Sequence, residues 1–168
     1  LDRTPFYAES GGQVGDRDDT ALGRVLAPLL DQALTHRLGA ERAVPAPGPE
    51  QLTAAAPVLR LAAALATELG ARQTFEYLLS RHLDTNPRQF TLTPPSLAEL
   101  MAALAGPARS VLDPAAGTGA LLRAAVEPQR LWLQETDPAL AALASLRLAL
   151  HGDAEVHGRV GDSLRADV

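Results

Sequence analysis

The sequence contains no cysteine and no lysine, and only 4% of its residues are aromatic. Without cysteine there is no disulfide framework, thiol nucleophile or cysteine-ligated zinc, and four scattered histidines do not replace those ligands. No metal centre is expected. All 15 basic residues are arginine against 20 acidic ones, a net charge of −5. The sequence therefore offers no basic field to draw in a phosphate backbone, and DNA contact, if the protein makes it, is expected mostly through other parts. The lack of lysine beside abundant Ala, Pro and Gly fits the codon usage of a GC-rich genome and carries no functional signal. With few aromatics, the core must be built from Leu, Ala and Val, which favours helices. Apolar runs such as 61–67 are far short of the ~20 residues of a bilayer span. No basic stretch followed by an apolar one opens the sequence, so a cytoplasmic protein without membrane contact is expected.

The 168 residues suffice for one ordinary domain, or for a small helical module joined to part of a larger fold. Residues 1–16 (LDRTPFYAESGGQVGD) are Gly-rich, polar and aromatic, unlike the Ala/Leu-rich remainder, which sets a boundary near Asp16. Leu22, Val25, Leu26, Leu29, Leu30, Ala33 and Leu34 recur at helical spacing and predict a helix over 20–38 that Pro28 should kink or split. A Pro-rich linker is expected near 41–51, then helices over 54–69 and 72–83. Phe75, Tyr77 and Phe90 read as core, and His36, His82 and His151 as ordinary helix-end residues. Asn86-Pro87 marks a turn. A further helix should start at Ser96, an N-cap with Glu99 as capping-box partner, and end at Gly106-Pro107.

Beyond this point, short apolar runs alternate with helical stretches. Strands are expected at 110–112, 131–133 and 155–160, with helices over 118–125 and 137–150, the latter capped by Asp137 with Pro138 at its first position. The order β-α-β-α-β denotes a parallel sheet with crossover helices. The fold class is thus α/β, a helical module over 17–90 leading into a Rossmann-like sheet over 91–168.

The first strand runs into Asp113-Pro114-Ala115-Ala116-Gly117-Thr118-Gly119 and directly into a helix. Gly117 and Gly119 permit positive φ and let a ligand approach the backbone at the carboxyl edge of the sheet. Phosphate is excluded, because the Lys-Ser/Thr ending of a phosphate loop is missing and Asp113 would repel it. An aspartate there suits a cationic amine. Glu135, 22 residues after Asp113 and at the end of the second strand, is placed to accept from ribose hydroxyls. Asp162, in Gly161-Asp162-Ser163 after the third strand, can accept from the exocyclic amine of adenine. Taken alone, the Asp113 loop can also be read as a tight strand-to-helix connection, and Glu135 or Asp162 equally well as a solvated or helix-terminal carboxylate; the three in order imply an amine, a ribose and an adenine, the parts of S-adenosylmethionine.

The run LTPPSLAELM at 92–101, followed by VLDPAAGTGALL, QETDP and VGDSL, resembles the amino-methylating DNA methylases, especially the modification subunits of type I restriction systems. The resemblance implies a class I methyltransferase fold, DNA as substrate, a specificity subunit as a possible partner and S-adenosylmethionine as cofactor. It further implies that Thr93 touches the methionine moiety and that Asp113, Ala115, Gly117, Thr118 and Gly119 line methionine and ribose. Glu135 would then hold the ribose, and Asp162 with Ser163 would meet the adenine. The family commonly has Cys where this sequence has Ala116. It also carries a catalytic Asn/Asp-Pro-Pro-Tyr/Phe loop after a fourth strand. The one Pro-Pro here is Pro94-Pro95, before the first strand and without the aromatic that stacks on a flipped base. An incomplete methyltransferase sheet, inactive alone and with no catalytic residue to name, is therefore expected.

Residues 1–16 resemble the stretch of alanyl-tRNA synthetases that leads into their editing domain, and the resemblance stops at Asp16. A synthetase or editing fragment is the rival this raises, but such editing sites use His and Cys zinc ligands, and this sequence has no Cys. The segment reads as an orphan joined to the methylase-like remainder. A non-catalytic module whose helices serve only as a partner-binding surface is the third reading.

Overall fold

The structure is a computed structural model that describes residues 19–85 and 92–165. The segment likened to synthetases, Asn86-Pro87, Phe90 and Thr91 lie outside the described residues. Four helices come first: α1 (Asp19–Leu38), α2 (Pro49–Leu69), α3 (Ala71–Asp84) and α4 (Pro95–Ala105). The alternating half follows as β1 (Ser110–Asp113), α5 (Ala120–Ala124), β2 (Arg130–Glu135), α6 (Pro138–His151) and β3 (Glu155–Val160).

Two local expectations are corrected and one is narrowed. Of the two outcomes expected of Pro28, the split does not occur: α1 runs unbroken over 20 residues with Pro28 inside it. α2 begins at Pro49, inside the expected linker. Proline suits a first helical turn whose N–H groups are unpaired anyway, and the Gln51 side chain accepts from the Gly48 N–H at 2.9 Å. α4 starts with Pro94 as N-cap and Pro95 in its first turn, with no side-chain cap, so Ser96 lies within the helix. Asp137 does cap α6, accepting from the N–H groups of Ala139 and Leu140 at 2.8 and 3.3 Å.

The three strands form a parallel sheet in the order β1-β2-β3. A right-handed crossover is nearly universal for parallel strands, so two successive crossovers in the same sense bring α5 and α6 to one face. That face is the core. Leu131, Leu133 and Val156 meet Leu122, Ala141, Ala144 and Leu148, while Leu38 and Val44 close the end beside β3. Full burial of one such side chain contributes roughly 1.5–3 kcal/mol. On the opposite face the register aligns Leu112, Trp132 and His157 in one row. There Leu112 is 49% and Trp132 40% exposed, and the Trp132 and His157 rings stack with centroids 4.0 Å apart.

The helical part is bound to the sheet part by arginines. Arg37 of α1 donates to the carbonyls of Ala149 and Gly152, and Arg72 of α3 donates to that of Leu150 at 3.1 Å. These carbonyls lie at the C-terminus of α6, where the helix dipole favours cations. Among the described residues α2 is the one helix long and apolar enough to cross a membrane by length and composition. It passed unnoticed in the sequence because Arg60, which is ion-paired to Asp19 of α1, interrupts the apolar run. α2 packs on α1 and α3.

Gly23 lies where α1 and α2 cross, and a Cβ there would stand 2.3 Å from the Pro49 carbonyl oxygen. Backbone cannot rotate out of the way, so Gly23→Ala should cost about 1–3 kcal/mol. Urea unfolding of the two proteins measures this, and equal midpoints would refute the crossing described.

Candidate functional site

β1 ends in Asp113, and the chain turns back on itself before entering α5. The turn is possible because Gly117 and Gly119 have φ of +54° and +75°. At 117 a Cβ would meet nothing within 4 Å, so glycine answers a backbone requirement there. At 119 it would also stand 3.4 Å from Ala144 Cβ, which reflects how tightly the loop lies on α6. The Ala116 N–H donates to the Gln134 carbonyl at 3.0 Å and the Gly119 N–H to that of Ala116 at 2.7 Å.

Glu135, at the end of β2, grips this loop. Its Oε2 accepts from the Gly117 N–H at 2.8 Å, while Oε1 accepts from the Thr136 N–H, the Thr136 hydroxyl and the Asp137 N–H at 2.8, 3.0 and 3.1 Å. Burial alone would raise its pKa. The hydrogen bonds from Asp137, Gly117 and Thr136 outweigh that effect and hold the carboxyl below its ordinary value. Since each carboxylate oxygen has about two acceptor positions, Oε2 keeps room for one further donor.

Asp113 is treated differently. It is buried, and among the described residues its one hydrogen bond comes from the Ala115 N–H at 3.1 Å. It lies on the wall of a cavity of about 190 Å³, which Thr93, Ala115, Gly117 and Thr118 also line, with Leu121 and Leu140 as apolar lining. Five of the nine residues expected to hold a ligand therefore converge. Gly119 does not line the cavity but forms the N-cap of α5, and Glu135 lies behind the loop. Asp162 and Ser163 follow the end of β3, where the Gly161 N–H donates to the Glu135 carbonyl at 3.0 Å. The Asp162 carboxylate accepts from the Leu164 N–H at 3.0 Å and pairs with Arg165 at 3.4 Å, and neither Asp162 nor Ser163 reaches the cavity lining.

The sequence reading missed Arg147 and Glu76. Arg147, on α6, has a side chain only 8% exposed. Its Nε and Nη2 donate to Oε1 and Oε2 of Glu76 on α3 at 2.6 and 2.7 Å, and its Nη1 donates to the Thr118 carbonyl and hydroxyl at 3.1 and 3.3 Å. Burial would raise the Glu76 pKa, but the hydrogen bond and charge of Arg147, with Arg123 and His151 beyond, hold it below its ordinary value. The available signal was a lone arginine in the apolar stretch ALASLRLAL, since a charge on a buried helix face requires a partner. Tyr77, assigned to the core, is exposed beneath the Arg81 guanidinium, 5.6 Å from its ring centre, while Phe75 is half-buried.

A family model described as N-6 DNA methylase matches residues 70–168, more than half of the chain, from the start of α3 through the whole sheet. No curated protein matches.

Because the Glu135 carboxyl is held below its ordinary value of 4.5, its contribution to stability is present above that pH and is lost as pH falls through the lower folded value. Glu135→Gln should therefore be less stable than the parent at pH 7 and lose less on acidification below about 4.5. Urea titrations across that window check this, and parallel stability curves would contradict it.

Proposed function

The chain belongs to the N-6 DNA methylase family, and from that premise we propose that the cradle at the carboxyl ends of its strands binds S-adenosylmethionine for methylation of the exocyclic amine of adenine in DNA. The observation that carries this reading is Asp113, a buried carboxylate on a cavity wall with, among the described residues, a single backbone donor. Burial of an anion so sparsely bonded is costly, and an ammonium group relieves that cost. An amino-acid amine is such a group. Small-molecule sites usually span ~300–1,000 Å³. A cavity of about 190 Å³ therefore suits the methionine end, and the nucleoside would extend over the strand ends.

In this proposal Asp113 accepts from the donor's ammonium while Thr93 and Thr118 border the methionine chain. Ala115 and Gly117 present backbone with little side chain in the way. Glu135 keeps the loop in its left-handed turn and offers the remaining position on Oε2 to a ribose hydroxyl. Asp162 and Ser163 stand beyond β3 for the adenine. When bound, S-adenosylmethionine supplies a sulfonium-activated methyl group. With a net charge of −5, this chain does not hold DNA by its own field, so DNA is engaged through other segments or a specificity subunit.

Calorimetric titration tests the assignment. Asp113→Asn removes a charge-assisted hydrogen bond and should weaken S-adenosylmethionine on the order of 10- to 100-fold while leaving adenosine unaffected. Gly117→Val places a β-branched residue at φ +54° and should weaken both. Unchanged affinity of Asp113→Asn for S-adenosylmethionine would overturn the reading.

A further inference from the structure

We propose that Arg147 is a positioning residue for the loop 113–119 and that Glu76 holds it in place, so that the docking of α3 sets the shape of the cradle. The importance of this for methyl-donor binding rests on the function proposed above; the mechanical link does not.

Two opposite contacts pin the crest of the loop. On one side Glu135 takes the Gly117 N–H at 2.8 Å; on the other Arg147 donates to the Thr118 carbonyl at 3.1 Å and to its hydroxyl at 3.3 Å. The groups gripped belong to adjacent residues, Gly117 and Thr118, in the stretch that holds the two glycines of positive φ, where the backbone has least intrinsic preference for one conformation. Thr118 also lines the cavity, so any rotation of its peptide alters the cavity wall.

Arg147 is itself constrained. Its Nε and Nη2 form a parallel pair of bonds to Glu76, which fixes the guanidinium plane and aims Nη1 at Thr118. A lysine ammonium has no such fork and cannot hold both partners in one plane. Glu76 is fixed by α3, and α3 by Arg72 on the C-terminus of α6. The resulting chain of contacts runs from a helix outside the sheet to the backbone of the loop. Arg147 touches neither the cavity nor a reacting atom and acts only through Thr118.

The test requires no ligand. Replacement of both ion-pair members by apolar residues of similar volume, Glu76→Met with Arg147→Leu, keeps α3 docked, since buried pairs are often replaced this way without loss of stability. The Thr118 anchor is nonetheless lost. Amide hydrogen exchange on the full chain should then show Gly117 and Gly119 exchanging on the order of 10-fold faster, with β2 amides at Leu131 and Leu133 near parental rates. Arg147→Lys, a milder change that folds if the double variant does not, should give the same pattern at smaller amplitude. Loop and strand amides accelerating in equal ratio in whichever variants fold would overturn the proposal, because a purely structural role raises both together. Titration of the same variants with S-adenosylmethionine separates the two ideas. An absence of binding by the parent chain would count against the methyl-donor reading and leave the exchange result to decide this one.

Discussion

An arginine cannot give up its proton in a protein, so a guanidinium only 8% exposed must have its partners wherever the chain folds. Arg147 imposes that requirement on everything around it. Glu76 has to stand opposite it, which brings α3 onto α6. Only Gly70 separates α3 from α2, so α2 is oriented in turn, and α1 packs across α2. The pair is not a large source of stability, because removing two charges from water offsets most of their attraction. Its effect is selective: loss of Glu76 leaves the Arg147 guanidinium, 8% exposed, without a counter-charge, so other placements of α3 are disfavoured, whereas Glu76, 30% exposed and 3.9 Å from Arg123, keeps a compensating charge.

The strand ends show how one residue type serves two purposes. Glu135 and Asp113 both stand at the carboxyl edge of a parallel sheet, where ligands of such folds collect. Glu135 accepts from four protein donors and belongs largely to the architecture. Among the described residues Asp113 accepts from one, and it lines a cavity. Hydrogen-bond satisfaction separates a carboxylate that shapes a loop from one with acceptor positions to spare, and neither spacing nor composition records it. Asp162 is intermediate, engaged with its own turn and with an exposed arginine, contacts that water or another donor can replace at small cost.

This difference governs how much was legible beforehand. The β-α-β-α-β order could be read because β1 and β2 carry short apolar runs, Val111-Leu112 and Leu131-Trp132-Leu133, and α6 has a recognisable start in Asp137-Pro138; α5, expected from Thr118, begins at Ala120 with Gly119 as its N-cap. The loop could be read because glycines at 117 and 119 follow an aspartate at a strand end. Prolines misled where their position in the helix decided the outcome: Pro49 opens α2 and Pro28 lies inside α1, and local sequence does not distinguish an initiating proline from an interrupting one. The Glu76–Arg147 contact spans 71 residues and was beyond any local pattern, although the isolated arginine indicated that a partner was needed. Tyr77 failed for a related reason, since its helical spacing from apolar neighbours did not reveal that Leu78 beside it also faces solvent.

The sheet face away from α5 and α6 has a practical consequence. The chain has one tryptophan, and that indole lies on β2 stacked against the His157 imidazole of β3, with ring planes 15° apart. Its fluorescence therefore comes from a single known place, and it depends on β2 and β3 keeping the register that sets Trp132 beside His157. Glu135 lies three residues further along the same strand, so the chain has a built-in optical probe on the strand that supports the loop. Disturbance of the pairing beneath the cradle would register as a change in emission, without any label attached.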